Sequence, residues 1–241
     1  MARARAFAAA RATTTRALLL RRVPYAESDL VVTLFTEEIG RVSALARGAR
    51  KSQRRFGGAL EPMHTLGVRL DERTFAELLT LREASIEIAR RRLVGDLDRM
   101  TVAGRALGWL RRVAPARTPE PEAWRVVSEL LDRLDAADEL PPRLHLGEAG
   151  LRLLMAFGWG IDFERCVRCG KACEPDRPAL LDAARGGLIC RACGGARLRL
   201  EGPARERLAR AARGEARIAP EDADTALAIA ESGLLAHAGI E

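Results

Sequence analysis

Aromatic side chains are scarce in this chain: one tyrosine, three tryptophans and six phenylalanines among 241 residues. Little surface is left on which bases could stack, so any nucleic-acid partner would be held mainly through its phosphates. Lysine is scarcer still, with only Lys51 and Lys171, and nearly all the positive charge is arginine. Arginine grips phosphate bidentately and stacks on planar groups, so this bias suits nucleic-acid binding, although genome composition produces the same bias. No run of 18 apolar residues occurs, which excludes a membrane-crossing helix. The sequence also lacks a Walker-type phosphate loop, a GxSxG elbow, an HExxH motif and the carboxylate cluster of a two-metal nuclease. These absences argue against an enzyme and predict a soluble, cytoplasmic protein.

What is present begins with charge. A hydrophobic content of 48% is ample for a packed core, and the length suits one large domain or two to three small ones. Net charge is +7, and it is unevenly placed: cations outnumber acids 14 to 8 in residues 1–80, 13 to 12 in 81–160, and balance at 13 each in 161–241. A single-sign field confined to one segment suits an acidic polymer, because clustered cations release counterions from a phosphate backbone. An acidic protein is the second candidate. The stretch Met1 to Arg16 is rich in Arg and Ala and free of acids, which resembles an organelle transit peptide. A flexible extension before the first strand is the plainer reading.

From Thr14 to about Ile86, short apolar runs alternate with turn signals: 17–20, 30–35, 42–46, 65–70 and 75–81. Five short strands predict a small barrel. The glycine-rich polar segment from Gly48 to Leu60 reads as a long exposed loop between the third and fourth. After Arg92 the period changes. Helical spacing runs from Val94 to Leu110, then over Trp124–Leu134 with Val127, Leu130, Leu131 and Leu134 on one face. It continues over Leu146–Phe157, where Leu151, Leu154 and Met155 are expected to face a core. Prolines at 115, 119, 121, 141 and 142 punctuate these helices, and two more are predicted at Pro203–Arg213 and Pro220–Ala238. The expected fold class is therefore α+β and multidomain. Its parts are a flexible extension at 1–13, a barrel at 14–86, a helical domain at 87–161 and 198–241, and a cysteine-bearing segment at 162–197.

That segment carries the most chemically specific pattern in the chain. Cys166-Val167-Arg168-Cys169 is followed by Cys190-Arg191-Ala192-Cys193. Two CxxC pairs can close a tetrahedral thiolate cage around one zinc ion, and Gly170, Gly186, Gly187, Gly194 and Gly195 allow the tight turns this needs. Four sulfurs fill the coordination sphere, so such a site is structural. Disulfides are an alternative, though five cysteines is an odd number. A cage that uses Cys173 in place of one partner is another. The histidines His64, His145 and His237 are all distant in sequence.

Between Arg41 and Leu60 the chain holds Arg41, Arg47, Arg50, Lys51, Arg54 and Arg55 and no acid. Cations on a glycine-rich loop at a barrel face can sit on consecutive phosphates, whereas the bland reading is a solvated rim loop. Among the aromatics Tyr25, Phe35, Phe56 and Phe75, only Phe56 is placed to stack on a base, since Phe35 and Phe75 lie in strand runs. Binding is expected to be strongly salt-dependent and indifferent to sequence.

The residues also resemble a known family. Tyr25-Ala26-Glu27-Ser28-Asp29-Leu30 continuing to Glu38-Ile39-Gly40-Arg41-Val42 looks like the N-terminal signature of the RecO recombination mediators. Ala46-Arg47-Gly48-Ala49-Arg50-Lys51 with Arg54-Arg55-Phe56-Gly57-Gly58 resembles that family's basic loop. Leu153 to Trp159, Cys166 to Gly170 and Gly186 to Cys190 resemble the helix and zinc finger of its zinc-bearing members. The resemblance implies an N-terminal OB fold, a helical domain and an inserted zinc finger with four cysteine ligands. It implies a DNA repair protein that binds single- and double-stranded DNA and anneals complementary strands coated with single-strand-binding protein. With RecR, such a protein promotes RecA loading; whether RecF is also needed is left open. It further implies a grip on the acidic C-terminal tail of the single-strand-binding protein. Carried over residue by residue, Arg47, Arg50, Lys51, Arg54 and Arg55 become the expected DNA contacts, and the acid-free basic run and the stacking argument add Arg41 and Phe56. Cys166, Cys169, Cys190 and Cys193 become the expected ligands of one structural zinc. Two rival readings are a zinc-dependent adaptor that docks an acidic protein tail on the barrel, and a zinc-ribbon transcription or translation factor.

Overall fold

Alternation of apolar and polar residues puts one face of each N-terminal strand inward, and the strands close on themselves to bury that face. The computed structural model describes residues 11–72, 78–136, 140–196 and 198–238. Strand β1 (Arg11–Tyr25) is followed by β2 (Asp29–Thr36), β3 (Gly40–Ala46), a short helix α1 (Gln53–Phe56), β4 (Thr65–Glu72) and β5 (Leu79–Ile88). They form a closed barrel in the order β1-β2-β3-β5-β4, an OB-type arrangement. Closure depends on the length of β1. Its first half pairs with β4 from Arg11 opposite Glu72 to Leu18 opposite Thr65, and its second half pairs with β2 from Ala17 to Tyr25. A register shift between Leu19 and Arg21 bends the strand from one partner to the other. The interior is filled by Ala17, Leu19, Val32, Leu34, Val42, Ala44, Leu66, Val68, Leu70 and Leu81.

Several boundaries differ from the sequence reading. The first strand begins at Arg11, inside the expected extension, because backbone pairing with β4 holds the polar Thr13–Arg16 stretch in the sheet. Residues 1–10 and Phe75 lie outside the described residues. The last strand runs Leu79–Ile88 rather than 75–81: its charged half stays extended because it pairs with β4 from Leu66 opposite Ile86 to Asp71 opposite Thr80. The Gly48–Leu60 segment is not all loop. Ser52 caps α1 by accepting from the Arg55 N–H at 3.3 Å, and Phe56, Ala59 and Leu60 enter the barrel core.

The chain divides into two compact units, one comprising residues up to Arg91 with Ala114–Pro121, the other Arg92–Val113 with the chain from Glu122 onward. In the first, Ala114–Pro121 straps the barrel: Arg41 donates from Nε to the Ala114 carbonyl at 2.7 Å and accepts at its own carbonyl from the Arg117 N–H at 2.9 Å. A short helix, α2 (Arg91–Val94), marks the boundary.

The second unit contains α3 (Leu97–Val113), α4 (Pro121–Asp135), α5 (Pro142–Ala156), α6 (Gly202–Ala212) and α7 (Ala223–His237). Between α5 and α6 lies a four-stranded sheet of β6 (Asp162–Cys166), β7 (Ala179–Asp182), β8 (Gly187–Ile189) and β9 (Leu198–Leu200), in the order β6-β8-β7-β9. Helix α5 is buried on almost every side from Leu144 to Leu154. Gly150 permits this, since a Cβ there would lie 2.4 Å from the Cβ of Ala230 on α7. Met155, expected in the core, is 44% exposed, because one further step of about 100° turns it away from the seam that Leu154 fills.

Inside this helical core sits a carboxylate. Glu148 is only 3% exposed and accepts from Arg133 at 2.5 Å and from Arg217 at 2.8 Å. Arg217 also contacts His145 Nδ1 at 3.2 Å. A buried carboxylate holding two guanidinium groups fixes the approach of the segment after α6 to α5. Glu148→Ala would leave both cations without this partner, so the unfolding free energy should fall by about 3 kcal/mol. Denaturant titration should show a lower midpoint with an unchanged slope.

Candidate nucleic-acid interface and metal centre

The basic loop is a built platform. Asp29 at the start of β2 accepts from the Gly48 N–H at 2.7 Å, and Ser28 accepts at its carbonyl from the Arg50 N–H at 3.0 Å. Lys51 and Ser52 both donate backbone N–H groups to the Gly48 carbonyl. The turn before β2 thus pins one end of the loop, while Phe56, Ala59 and Leu60 anchor the other in the barrel core. Between these anchors Arg47, Arg50, Lys51, Arg54 and Arg55 are all exposed. Among the described residues none of the five makes an ion pair with a carboxylate. Two of them are held by neutral groups: Arg50 donates to the Glu27 carbonyl at 3.2 Å and Arg55 to the Arg47 carbonyl at 2.8 Å. A carbonyl positions a guanidinium without cancelling its charge, so the full positive field of the loop remains available to a polyanion.

Two of the expected contacts are corrected. Phe56 is 2% exposed and packs with the barrel interior, so it is not available for stacking on a base. The four-residue helix turns its ring inward, and the Arg55 guanidinium lies over it, 5.2 Å from the ring centre. Arg41 stands at the opposite end of β3 from Arg47, roughly 20 Å away at the rise of an extended strand. It braces the Ala114 strap instead of joining the loop cations.

The structure also exposes β1 residues that the sequence reading did not count as contacts. Arg21, Val23 and Tyr25 share a face of β1 by alternation, and Tyr25 is 57% exposed. On the other face of β1, Arg22 and Pro24 join Arg50 and Gln53 in lining a cleft of about 500 Å³ at the foot of the loop. The signal was the period of the strand. The apolar run at 17–20 stops short of these residues, and only the pairing with β2 carries the strand on to Tyr25.

The candidate metal centre, a cluster of four cysteines, lies in the second unit, and its parts come from two knuckles. The first leaves β6: Gly170 donates to the Cys166 carbonyl at 2.8 Å and adopts φ 73°, a left-handed turn that favours glycine. The second follows β8, where Cys193 and Gly194 both donate to the Cys190 carbonyl. Parallel pairing of β6 with β8 brings the knuckles together, and the Val167 N–H bonds the Leu188 carbonyl at 2.8 Å. The Sγ atoms of Cys166, Cys169, Cys190 and Cys193 all fall within 4.8 Å of one another. Cys169 and Cys190 are 3.7 Å apart, close to the edge of about 3.8 Å expected for a tetrahedron with metal–sulfur bonds near 2.3 Å. All five cysteines are free thiols, so the disulfide alternative is set aside, and Cys173 is outside the tetrad. The donor set fits a thiophilic divalent ion.

The thiol electrostatics bear on whether the cluster could hold such an ion. The Cys190 N–H and further hydrogen bonds from Cys169 and Arg168 pull the Cys166 thiol down to about 6. Cys193 is pushed up to about 12, chiefly by its hydrogen bond with Cys190 and then with Cys169. Metal-free, the tetrad therefore retains protons, because four crowded thiolates repel one another. A divalent cation relieves that repulsion and displaces them.

The family description "Recombination protein O N terminal" matches residues 11–89, and "Recombination protein O C terminal" matches residues 94–240. The chain belongs to the RecO family. Similar relatives include the DNA repair protein RecO of Anaeromyxobacter sp. (strain K), 42% identical over 176 residues, covering 73% of this chain and 68% of the relative. The DNA repair protein RecO of Geobacter metallireducens is 37% identical, with 76% and 72% covered, and that of Myxococcus xanthus is 38% identical, with 74% and 71% covered. In RecO terms, the N-terminal match falls on the barrel with its basic loop, and the C-terminal match spans the helices and the four-cysteine cluster.

Two outcomes test this geometry. Phe56→Ala should lower stability by about 3 kcal/mol, read by thermal unfolding, since it empties part of the barrel core; a loss of nucleic-acid affinity at unchanged stability would restore the stacking role. Affinity of the thiol tetrad for a divalent ion, measured by competition with a chelator, should climb as pH rises through about 6, where Cys166 loses its proton.

Proposed function

We propose that this RecO-family chain is a recombination mediator that binds single- and double-stranded DNA through the barrel loop, without regard to sequence. The observation that carries the reading is the group of five exposed cations, Arg47, Arg50, Lys51, Arg54 and Arg55, free of carboxylate partners among the described residues, with Arg50 and Arg55 held by backbone carbonyls. Phosphate contacts of this kind set affinity and register but read no base. Double-stranded DNA presents the same phosphates at higher charge density, so one loop serves both forms. Sequence indifference suits a mediator, which must act wherever a strand is exposed.

On this reading the chain anneals complementary strands coated with single-strand-binding protein and, with RecR, promotes RecA loading; RecF is a further candidate partner. Neutralising phosphates on a strand lowers the repulsion that keeps complementary strands apart, and this is the physical step that the loop contributes. The acidic tail of the single-strand-binding protein is a second polyanion for a chain of net charge +7. The division of labour assigns DNA to 14–86, bracing to the helical domain at 87–161 and 198–241, and a zinc finger to 162–197. Zinc is the ion best suited to Cys166, Cys169, Cys190 and Cys193, because a closed tetrahedral thiolate site favours it and leaves no open position for chemistry. The ion would serve the fold, and no catalytic step is assigned to any residue.

Arg50→Glu with Lys51→Glu should weaken binding to unrelated oligonucleotides alike and flatten the salt dependence of single-strand binding by about 1.4 in log–log slope, at about 0.7 for each phosphate contact. Unchanged affinity and slope would remove the loop from the interface. For the metal, Cys190→Ser should abolish stoichiometric zinc and lower the melting temperature; a full complement of zinc in that variant would refute the ligand set.

A further inference from the structure

A cleft of about 620 Å³ opens in the second unit beside the four-cysteine cluster, and its walls are basic. Arg177, Arg191, Arg199 and Arg205 line it against a single acid, Glu174, over an apolar floor that includes Pro178 and Leu180. The key member is Arg205 on α6. It is 4% exposed, and its guanidinium donates to four carbonyls: Glu174 at 2.8 Å, Arg177 at 3.0 Å, Phe163 at 2.9 Å and Cys173 at 3.1 Å. No carboxylate pairs with it among the described residues, and its Nε has no hydrogen-bond partner. The four carbonyls fix the 173–177 loop and leave a buried positive charge uncancelled at the cleft wall.

The rim points the same way. Arg191 is exposed and makes no ion pair among the described residues. Arg177 pairs with Glu174 at 2.7 Å and Arg199 with Glu201 at 3.0 Å, but all four side chains are more than half exposed. Pairs of that kind contribute about 0–1 kcal/mol and yield readily to a stronger anion. Four thiolates around a divalent ion carry a net negative charge that would repel an anion, and Arg168, Lys171 and Arg191 at the knuckles stand against it.

We propose that this cleft is a second single-strand site, in which phosphates of a nucleic-acid strand sit on Arg177, Arg191 and Arg199 while a base rests on the Pro178–Leu180 floor. The inference rests on the DNA-binding reading of the barrel loop and extends it. Annealing requires two like-charged strands to be held by one protein, and a chain with two separate cationic sites can hold one at each.

The test titrates a short fluorescent oligothymidylate onto the full-length, metal-loaded protein and follows annealing of complementary oligonucleotides in parallel. Wild type should take up two oligonucleotides per chain. Arg191→Glu with Arg199→Glu, and separately Arg177→Glu with Arg199→Glu, should each retain one, keep stoichiometric zinc, and anneal at least tenfold more slowly. The second pair lies outside both CxxC knuckles, so metal loss in the first cannot mask the result. Two oligonucleotides and an unchanged annealing rate in both variants would overturn the cleft while leaving the loop reading intact; no oligonucleotide on wild type would overturn both. If the variants keep both oligonucleotides and lose instead the capture of an Asp/Glu-rich peptide, the cleft takes protein and the proposal fails.

Discussion

Arginine held by backbone carbonyls is the interaction on which this molecule is organised. With almost no lysine, the chain must use guanidinium groups both to build its structure and to carry its charge. A guanidinium bonded to a carboxylate is neutralised, whereas one bonded to a carbonyl is positioned and remains a cation. The surface of the helical unit uses the first kind in pairs such as Arg125 with Glu122 and Glu129. The barrel loop uses the second at Arg50 and Arg55, and so does Arg205 on α6, which reaches carbonyls of the cysteine-bearing segment. The distribution of partners, more than the net charge, decides where a polyanion finds an uncancelled field.

The same choice couples stability to the display of charge. The loop cations keep their places because the loop is tied at both ends, by Asp29 and Ser28 on one side and by Phe56, Ala59 and Leu60 on the other. Arg205 performs an equivalent task where no large apolar residue is present, gathering four carbonyls from β6 and the 173–177 loop around one buried head group. In both places ordering of the backbone is settled by folding, so a ligand meets cations already placed and the entropy lost on binding is smaller.

The cluster of four cysteines belongs to this logic of local ordering. Its sheet is built of strands of three to five residues, too short to hold their register by packing alone. Convergence of the four sulfurs ties the ends of β6 and β8, which run parallel through very few backbone contacts. A bound ion would supply the cross-link that these short elements cannot supply for themselves.

Sequence by itself determined the local rules. Period-two alternation marked the barrel strands, period 3.6 with proline punctuation marked the helices, and two CxxC pairs at a spacing two knuckles can span marked the cysteine cluster. The absence of acids from Arg41 to Leu60 marked the cationic loop, and motifs from both ends of the chain pointed to the RecO family. Tertiary structure alone decided what depends on distant partners. Strand β1 extends to Arg11 and Tyr25 because β4 and β2 pair with it along that whole length, past the apolar run that alternation reveals. Phe56 is buried because a four-residue helix capped by Ser52 turns it into the barrel. Arg41 braces a strap that lies some seventy positions away in the chain, at Ala114. Arg205 gives no sign in sequence of being different from its neighbours Arg207 and Arg210, and only the fold gathers carbonyls around it. Periodicity reports which face of an element is inward; which groups a long, flexible cation finally reaches is a property of the assembled chain.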